Sequence, residues 1–362
     1  MKIGLVGLPL VGKTTFFNLL TNAHAEISSF ASGKMASNIG SAKIPDYRID
    51  FLSKLYNPKK TTYATIDFTD VPGLTSGSSS GKTVGNQFLE DIRKVDALVH
   101  IVRAFNNHDV QHVEGSIDPM RDIETVNLEL LFADLGIIDS RIARIESGKK
   151  VTKENLAELE VLKKCKDGLE GGLLIHQIKL TEEERELLKT FSFLSEKPMI
   201  LVINIDEDSL RSGSYAQKED VLKYAEEGNV PVIEICAKTE MEISELDEED
   251  RLMFMEDLGI KRSGIDVLAS TAYNYQGLIS FLTAGEDEVK AWTIRKGIDA
   301  KKSAGKIHSD IERGFIRAEV VKFKDLEALG SMSKTKEKGL YRLEGKEYIV
   351  QDGDIINFRF NV

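Results

Sequence analysis

The stretch Gly7-Leu8-Pro9-Leu10-Val11-Gly12-Lys13-Thr14 decides the fold; the apolar run Lys2–Val6 precedes it and Thr15-Phe16-Phe17-Asn18-Leu19-Leu20 follows it. It is a complete Walker A pattern between a strand and the start of a helix, which is the context its chemistry needs. Backbone N–H groups of such a loop, with the N-terminus of the following helix, wrap the oxygens of a polyphosphate. Lys13 places positive charge on the β and γ oxygens, and the Thr14 hydroxyl ligates Mg²⁺. Gly7 and Gly12 permit a backbone course that a β-carbon would obstruct. Leu10, Val11, Gly12, Lys13, Thr14 and Thr15 are therefore the expected phosphate-binding residues.

Two further segments extend this site. Asp70-Val71-Pro72-Gly73 closes the candidate strand Ala64–Thr69. An aspartate at the carboxyl end of a strand beside a P-loop holds Mg²⁺, usually through water, and the Gly73 N–H is placed to sense a γ-phosphate. The Ser/Gly-rich loop after it, Thr75–Gly85, has the composition of a nucleotide-sensing switch. Farther on, Asn204-Ile205-Asp206-Glu207 follows the run Met199–Ile203. GTP-binding proteins carry Asn-Lys-x-Asp here, and the Asp accepts from guanine N1–H and N2–H₂. Ile205 and Glu207 depart from that pattern. A glutamate carries one extra methylene and misplaces its carboxylate, so the segment favours adenine; solvated loop charges are the plainer alternative. Cys236-Ala237-Lys238 follows the run Val230–Cys236, where such proteins set a loop against the base. Asn204, Ile205, Glu207, Cys236 and Ala237 are the candidate base-site residues.

Composition bounds the rest. The chain has 362 residues, 30% charged and 41% hydrophobic, enough for two or three domains and inconsistent with a disordered chain. No apolar run approaches the roughly 20 residues of a membrane helix, and Met1-Lys2 leads straight into the first strand with no export signal, so a cytoplasmic location is expected. Two cysteines, Cys165 and Cys236, make neither a disulfide framework nor a metal cluster and suit a reducing compartment.

Short β-branched runs at Lys2–Val6, Ala64–Asp70, Ala97–Val102, Met199–Asn204 and Val230–Cys236 predict an α/β domain with a largely parallel sheet over residues 1–127 and 197–277. Between these parts, Leu128, Leu131, Leu135, Ile138, Ile142 and Ile145 recur at coiled-coil spacing. Ser147-Gly148-Lys149-Lys150 breaks that run, and leucines at 156, 159, 162 and 169 resume it. A helical hairpin inserted at 128–196 follows, either a plain helical subdomain or a surface for a partner. From 278 to the end, strand candidates Val289–Arg295, Ile316–Phe323, Lys346–Val350 and Ile355–Phe360 and the helical stretch Ala300–Glu312 predict a compact α+β domain.

With these segments in hand, the chain resembles YchF-type P-loop proteins, the Obg-like ATPases of the Obg family. Besides Gly7–Thr15, Asp70–Leu74 and Asn204–Glu207, the resemblance rests on Asp118–Thr125 with Asn127–Glu129, on Ala291–Gly297, on Arg313–Glu319 and on Tyr348–Asp354, and it covers essentially the whole chain. It implies a GTPase-like P-loop domain, a coiled-coil hairpin and a C-terminal TGS domain of β-grasp fold. It also implies hydrolysis of ATP in preference to GTP and association with the ribosome. Mg²⁺ dependence, an rRNA or tRNA contact and a monomer are expected alongside.

Many P-loop relatives carry a water-orienting Gln after Asp-x-x-Gly; this chain has Leu74. The family implicates instead a His in the loop after the Val-Arg-x-Phe strand, and His112 in Gln111-His112-Val113-Glu114-Gly115 matches that position while His108 does not. Together with Lys13 and Gly73, His112 is the expected catalytic set; Thr14 and Asp70 are the expected metal ligands. Two positions depart from the family pattern. Lys34 stands where relatives carry a metal-closing Thr, with Ser32 or Ser37 as substitutes, and Leu10 stands where they usually carry Asn. Both bear on turnover rate. Three other functions remain open on the residues alone: an ATP-gated binding module with incidental hydrolysis, a small-molecule kinase, and a GTPase with a degenerate base motif.

The net charge of −11 argues against a uniformly basic nucleic-acid binder. The charge is uneven, however. Residues 278–362 hold 16 basic and 14 acidic residues, a net of +2, and the remainder carries −13. Local docking of the C-terminal domain or the hairpin tip onto RNA is compatible with that split.

Overall fold

The computed structural model describes residues 1–23, 38–72, 74, 83–107, 109–148 and 152–361. Gly73, Lys34, Ser32, Ser37, His108, Lys149, Lys150 and the loop 75–82 lie outside the described residues. Twelve strands are described: β1 Lys2–Val6, β2 Asn38–Lys43, β3 Lys60–Thr62, β4 Thr65–Asp70, β5 Ala97–Arg103, β6 Met199–Asn204, β7 Val232–Ile235, β8 Leu278–Ala284, β9 Glu288–Arg295, β10 Phe315–Lys322, β11 Arg342–Glu344 and β12 Asp354–Phe360. The chain divides into two compact units, 1–41 with 67–267 and 42–66 with 268–362.

The first unit is built on a sheet of order β2-β4-β1-β5-β6-β7. β1 pairs in parallel with β4 and β5, and β5, β6 and β7 continue in parallel. Every residue of β5 and β6 is buried, so these strands are apolar on both faces except at His100, Arg103 and Asn204 rather than alternating. The first strand after the P-loop to be placed on β1's other side reverses the strand order there. Ligands of open α/β sheets bind outside the carboxyl ends of the strands at such a reversal, and β1, β4, β6 and β7 end at the P-loop, Asp70, Asn204 and Cys236 respectively.

The predicted hairpin is present, as helices Pro119–Glu146 and Lys153–Glu170. The first begins earlier than the seam implied. Asp118 caps it by accepting from the Arg121 N–H at 3.1 Å, with Pro119 in the first turn. Ile123, Val126 and Leu130 on its first turns are fully buried, so one rigid helix runs from the nucleotide-binding region into the hairpin. Leu131, Ile138 and Ile145 pack with Leu162, Cys165 and Leu169 as the spacing predicted, whereas Leu128 and Leu156 are exposed. The returning chain is fixed by the fully buried carboxylate of Asp134, which accepts from the Leu194 N–H (2.9 Å), the Ser195 N–H (2.8 Å) and the Ser195 hydroxyl (2.7 Å). Burial raises its pKa, and these hydrogen bonds oppose the rise.

The second unit holds a mixed sheet of order β11-β10-β12-β8-β9-β3. Helices Ala300–Gly305 and Ser309–Arg313 replace the single helical stretch expected there. Ala300 and Ala304 pack with Phe281, Ile294, Ala318, Val320, Ile356 and Phe358 on one face of the sheet. Two sequence readings are corrected. Lys346–Val350 is not a strand; it contributes one bridge, Ile349 to Asp299, and the edge strand is the shorter β11. Residues 42–66, assigned from the sequence to the nucleotide-binding domain, belong to the second unit. β3 adds in parallel to β9. Arg48, from the helix Tyr47–Tyr56, donates to both Asp46 and Asp352, and Phe323 meets Tyr47 and Phe51 edge-on. Three residues of strand carry too little pattern to be read, and the partner of Arg48 is about 300 residues away.

Candidate nucleotide-binding site

The P-loop is held in shape by its own chain. Lys13 Nζ donates to the carbonyls of Gly7 (3.1 Å) and Leu8 (2.6 Å), which closes the loop around the ammonium. Burial brings the Lys13 ammonium down to a pKa of about 8, and the nearby Asp70 carboxylate pulls the other way. Gly7 adopts φ 145°, and a β-carbon there would lie 2.4 Å from the Ile101 carbonyl oxygen. Leu10 takes a left-handed φ of 63° and Gly12 one of 105°. Val11 is buried, and Thr15 is half-buried at the start of the helix Lys13–Thr21. Leu74, in the position where a water-orienting Gln was sought, turns into the core and donates its N–H to the Gly7 carbonyl at 3.2 Å.

Thr14 Oγ1 donates to Asp70 Oδ2 at 2.9 Å, so the two expected metal ligands are brought together from β4 and the P-loop helix. A hydroxyl and one carboxylate are a hard, sparse donor set. That set fits Mg²⁺, which keeps several waters and completes its shell with substrate phosphates. Among the described residues no group of three or more His, Cys, Asp or Glu side chains forms an all-protein metal cage.

Asn204 joins the phosphate and base sides. Its Nδ2 donates to the Val11 carbonyl at 2.9 Å, and its Oδ1 accepts from the Ala237 N–H at 3.2 Å. Cys236 and Ala237 are buried at the end of β7 and the start of the helix Ala237–Glu245. The other base-site residues differ from expectation. Ile205 is 3% exposed, and its N–H is bonded to the Ile235 carbonyl; its side chain is core. Asp206 caps the helix Glu207–Ser212 through the Ser209 N–H (2.9 Å) and also accepts from the Asn106 N–H (3.0 Å). These bonds hold its carboxyl below the usual range despite desolvation. Glu207 is ion-paired to Lys238 at 2.7 Å.

His112 is buried rather than presented on a free loop, at 8% exposure. Its Nε2 lies 2.9 Å from Asp122 Oδ2, and its Nδ1 accepts from the Glu114 N–H at 3.1 Å. The loop before it is organised by Arg103, a residue the sequence reading did not single out. Arg103 is buried at the end of β5 and donates to the carbonyls of Phe105 (3.2 Å), Asn107 (3.4 Å) and Val110 (2.8 Å). Neither Arg103 nor Asp122 carries a local signal, because their partners are set by the path of the turn.

Another polar group in β5 is His100, whose two ring nitrogens have no hydrogen-bond partner among the described residues. Burial and the Lys13 charge depress its pKa to about 3. The unfolded chain therefore binds a proton on this ring between pH 6.5 and 3 that the folded chain does not, so the stability difference is complete above 6.5 and lost as pH falls. Between pH 7 and pH 5, wild type is expected to lose about 2 kcal/mol more than a His100→Leu variant. Denaturant unfolding of both chains at the two pH values checks this; equal losses would refute it.

This geometry can be set beside known proteins. A family model described as 50S ribosome-binding GTPase matches residues 2–132. The YchF-GTPase C-terminal model, described as a protein of unknown function, matches residues 278–361. A Bacillus subtilis protein named ribosome-binding ATPase YchF is 47% identical over 366 aligned residues, covering the whole of both chains. The chain belongs to the YchF family. A Haemophilus influenzae YchF of the same printed name is 42% identical, covering all of this chain and 99% of that one. The solved structure of the Schizosaccharomyces pombe YchF GTPase superposes on this YchF-family chain with a TM-score of 0.86 at 30% identity, over 99% of this chain and 97% of that one. The fold is thus a GTPase-like P-loop α/β domain bearing a helical hairpin, with a C-terminal α+β domain.

Proposed function

We propose that this YchF-family chain is a ribosome-associated ATPase that hydrolyses ATP to ADP and phosphate in preference to GTP. Two relatives are named ribosome-binding ATPase, without mention of GTP. The preference for adenine is carried by one observation: both carboxylates of the base segment are already committed, Asp206 to a helix cap and Glu207 to Lys238. Guanine is recognised by an aspartate that takes its two adjacent donors, and none is offered here. Asn204, Cys236 and Ala237 form the base-side wall, and Ile205 contributes only backbone.

Leu10 through Thr15 wrap the phosphates with backbone N–H groups, and Lys13 exchanges the Gly7 and Leu8 carbonyls for β and γ oxygens. Thr14 and Asp70 would hold Mg²⁺, which supplies charge neutralisation on those oxygens when bound. Gly73, outside the described residues, is assigned from the sequence alone to sensing the γ-phosphate, and His112 orients the attacking water in place of the Gln that Leu74 cannot replace. Lysines 322, 324, 334, 336 and 338 are exposed on the second unit and offer contacts to rRNA or tRNA. Among the described residues no helix is long and apolar enough to cross a membrane. The protein acts in the cytoplasm as a monomer.

Equilibrium affinities for ATP and GTP, measured side by side with Mg²⁺, test the adenine reading. ATP is expected to bind more tightly. GTP binding tenfold more tightly, about 1.4 kcal/mol, would overturn it.

A further inference from the structure

We propose that Asp122 is a positioning residue for ATP hydrolysis, which fixes the tautomer of His112 so that Nδ1 is the nitrogen offered to the attacking water. The inference rests on the reading of His112 as the water-orienting group. Nδ1 accepts from the Glu114 N–H at 3.1 Å, so it carries a lone pair and the ring proton lies on Nε2. Nε2 in turn faces Asp122 Oδ2 at 2.9 Å. Asp122 is 1% exposed. Its other oxygen is held by Arg121, from Nε at 3.1 Å and Nη2 at 2.9 Å. Arg121 is anchored in the same turn, through Nη1 to the Ser116 hydroxyl (3.0 Å) and Nη2 to the Ser116 carbonyl (2.7 Å). Asp122 therefore cannot rotate, and the imidazole hydrogen-bonded to it cannot change tautomer without losing a buried hydrogen bond.

Among the described residues the hydrogen bond at Nδ1 comes from one backbone N–H. The turn that supplies it includes Gly115, at φ +77° with open space around its α-carbon. Turning that peptide away uncovers Nδ1 while the ring stays seated on Asp122. In the reaction, the water oxygen bonds to the γ-phosphorus. The bond from that phosphorus to the β,γ-bridging oxygen breaks with its electron pair leaving on ADP. The water proton passes to the phosphate released. Nδ1 accepts a hydrogen bond from the water and so aligns it.

The pairing with Arg121 makes a specific outcome for Asp122→Asn. Arg121 has only donors, so the new amide keeps its oxygen on the guanidinium and turns its NH₂ toward the imidazole. Nε2 must then accept, and the ring proton moves to Nδ1, the wrong nitrogen for the water. The substitution is isosteric, so ATP binding is expected to hold.

Steady-state hydrolysis and long-range ¹H–¹⁵N spectra of the imidazoles, with His112→Ala to assign the signal, test the proposal. Wild type should show the Nε2–H tautomer and Asp122→Asn the Nδ1–H tautomer. Asp122→Asn should lower kcat roughly tenfold or more with KM for ATP unchanged. Adding it to His112→Ala should cost nothing further. Arg121→Met in the Asp122→Asn background should restore part of kcat, because the amide oxygen is then free to face the ring. A wild-type Nδ1–H tautomer overturns the proposal without requiring any variant to fold. So does an Asp122→Asn enzyme as fast as wild type, or faster, while His112→Ala is slow. A His112→Ala enzyme at wild-type kcat overturns the water-orienting reading itself.

Discussion

Lys13→Ala is expected to lower ATP affinity by at least about two orders of magnitude, which at about 1.4 kcal/mol per tenfold is close to 3 kcal/mol. The loop that Lys13 occupies excludes water from the ammonium, and this burial lowers its pKa to about 8. A triphosphate brings several negative charges to that point, and a charge-assisted contact in a desolvated site is worth more than one on the surface. Lys238, at the base side, is 74% exposed in its side chain and already paired with Glu207. The same variant should remain folded, because among the described residues Lys13 donates to just the carbonyls of Gly7 and Leu8, and Gly7 retains the Leu74 N–H. Isothermal titration with ATP, beside a thermal melt of the empty protein, separates the two effects. Affinity within tenfold of wild type would refute the role of Lys13 as the phosphate cation.

The P-loop was legible because its chemistry is local. Gly7, Gly12, Lys13 and Thr14 must be close in sequence to surround one phosphate group, and the buried parallel strands β1, β5 and β6 announce themselves as short, mostly apolar, β-branched runs. Asp70 was legible for the same reason, and the structure brings it to Thr14 at 2.9 Å. The base side was only half legible. The residue types of Asn204–Glu207 argued against guanine, but the sequence did not reveal that Asp206 would cap a helix or that Ile205 would face the core. Those outcomes depend on where the helix Glu207–Ser212 begins, a boundary of one residue. The surroundings of His112 were not legible at all, since Asp122 lies on the next helix and Arg103 acts through backbone carbonyls with no side-chain signature. Residues 42–66 show the same limit at the scale of a domain. Their partners, β9 and Asp352, come from the far end of the chain, and no local pattern encodes a pairing so distant.

Asn204→Asp is expected to be nearly as damaging as the loss of Lys13, for a different reason. Asn204 is 4% exposed and serves the two sides of the site with opposite hydrogen-bonding roles, donating to Val11 and accepting from Ala237. Aspartate has the same shape but offers only acceptors. It keeps the Ala237 N–H and sets a buried negative oxygen against the Val11 carbonyl, in a place where an ordinary contact was 2.9 Å. The head group cannot withdraw toward the loop, because even a β-carbon on Gly12 would lie 2.7 Å from it. An unpaired buried charge costs about 3–5 kcal/mol, and here it also stands beside the phosphate loop, where it opposes an anionic ligand. Asn204→Asp should therefore lower both the urea midpoint and ATP affinity, the latter by more than about tenfold. Asn204→Ala removes the same two bonds without introducing charge, leaves Val11 and Ala237 each short of one partner, and is expected to cost about 2–4 kcal/mol. The ordering is the informative result. If asparagine served only as packing, alanine would be the worse substitution and aspartate nearly silent. If it joins the phosphate loop to the base loop through one donor and one acceptor, aspartate must be the worse for nucleotide binding, and its penalty should shrink at low pH, where protonation of the carboxyl restores a donor.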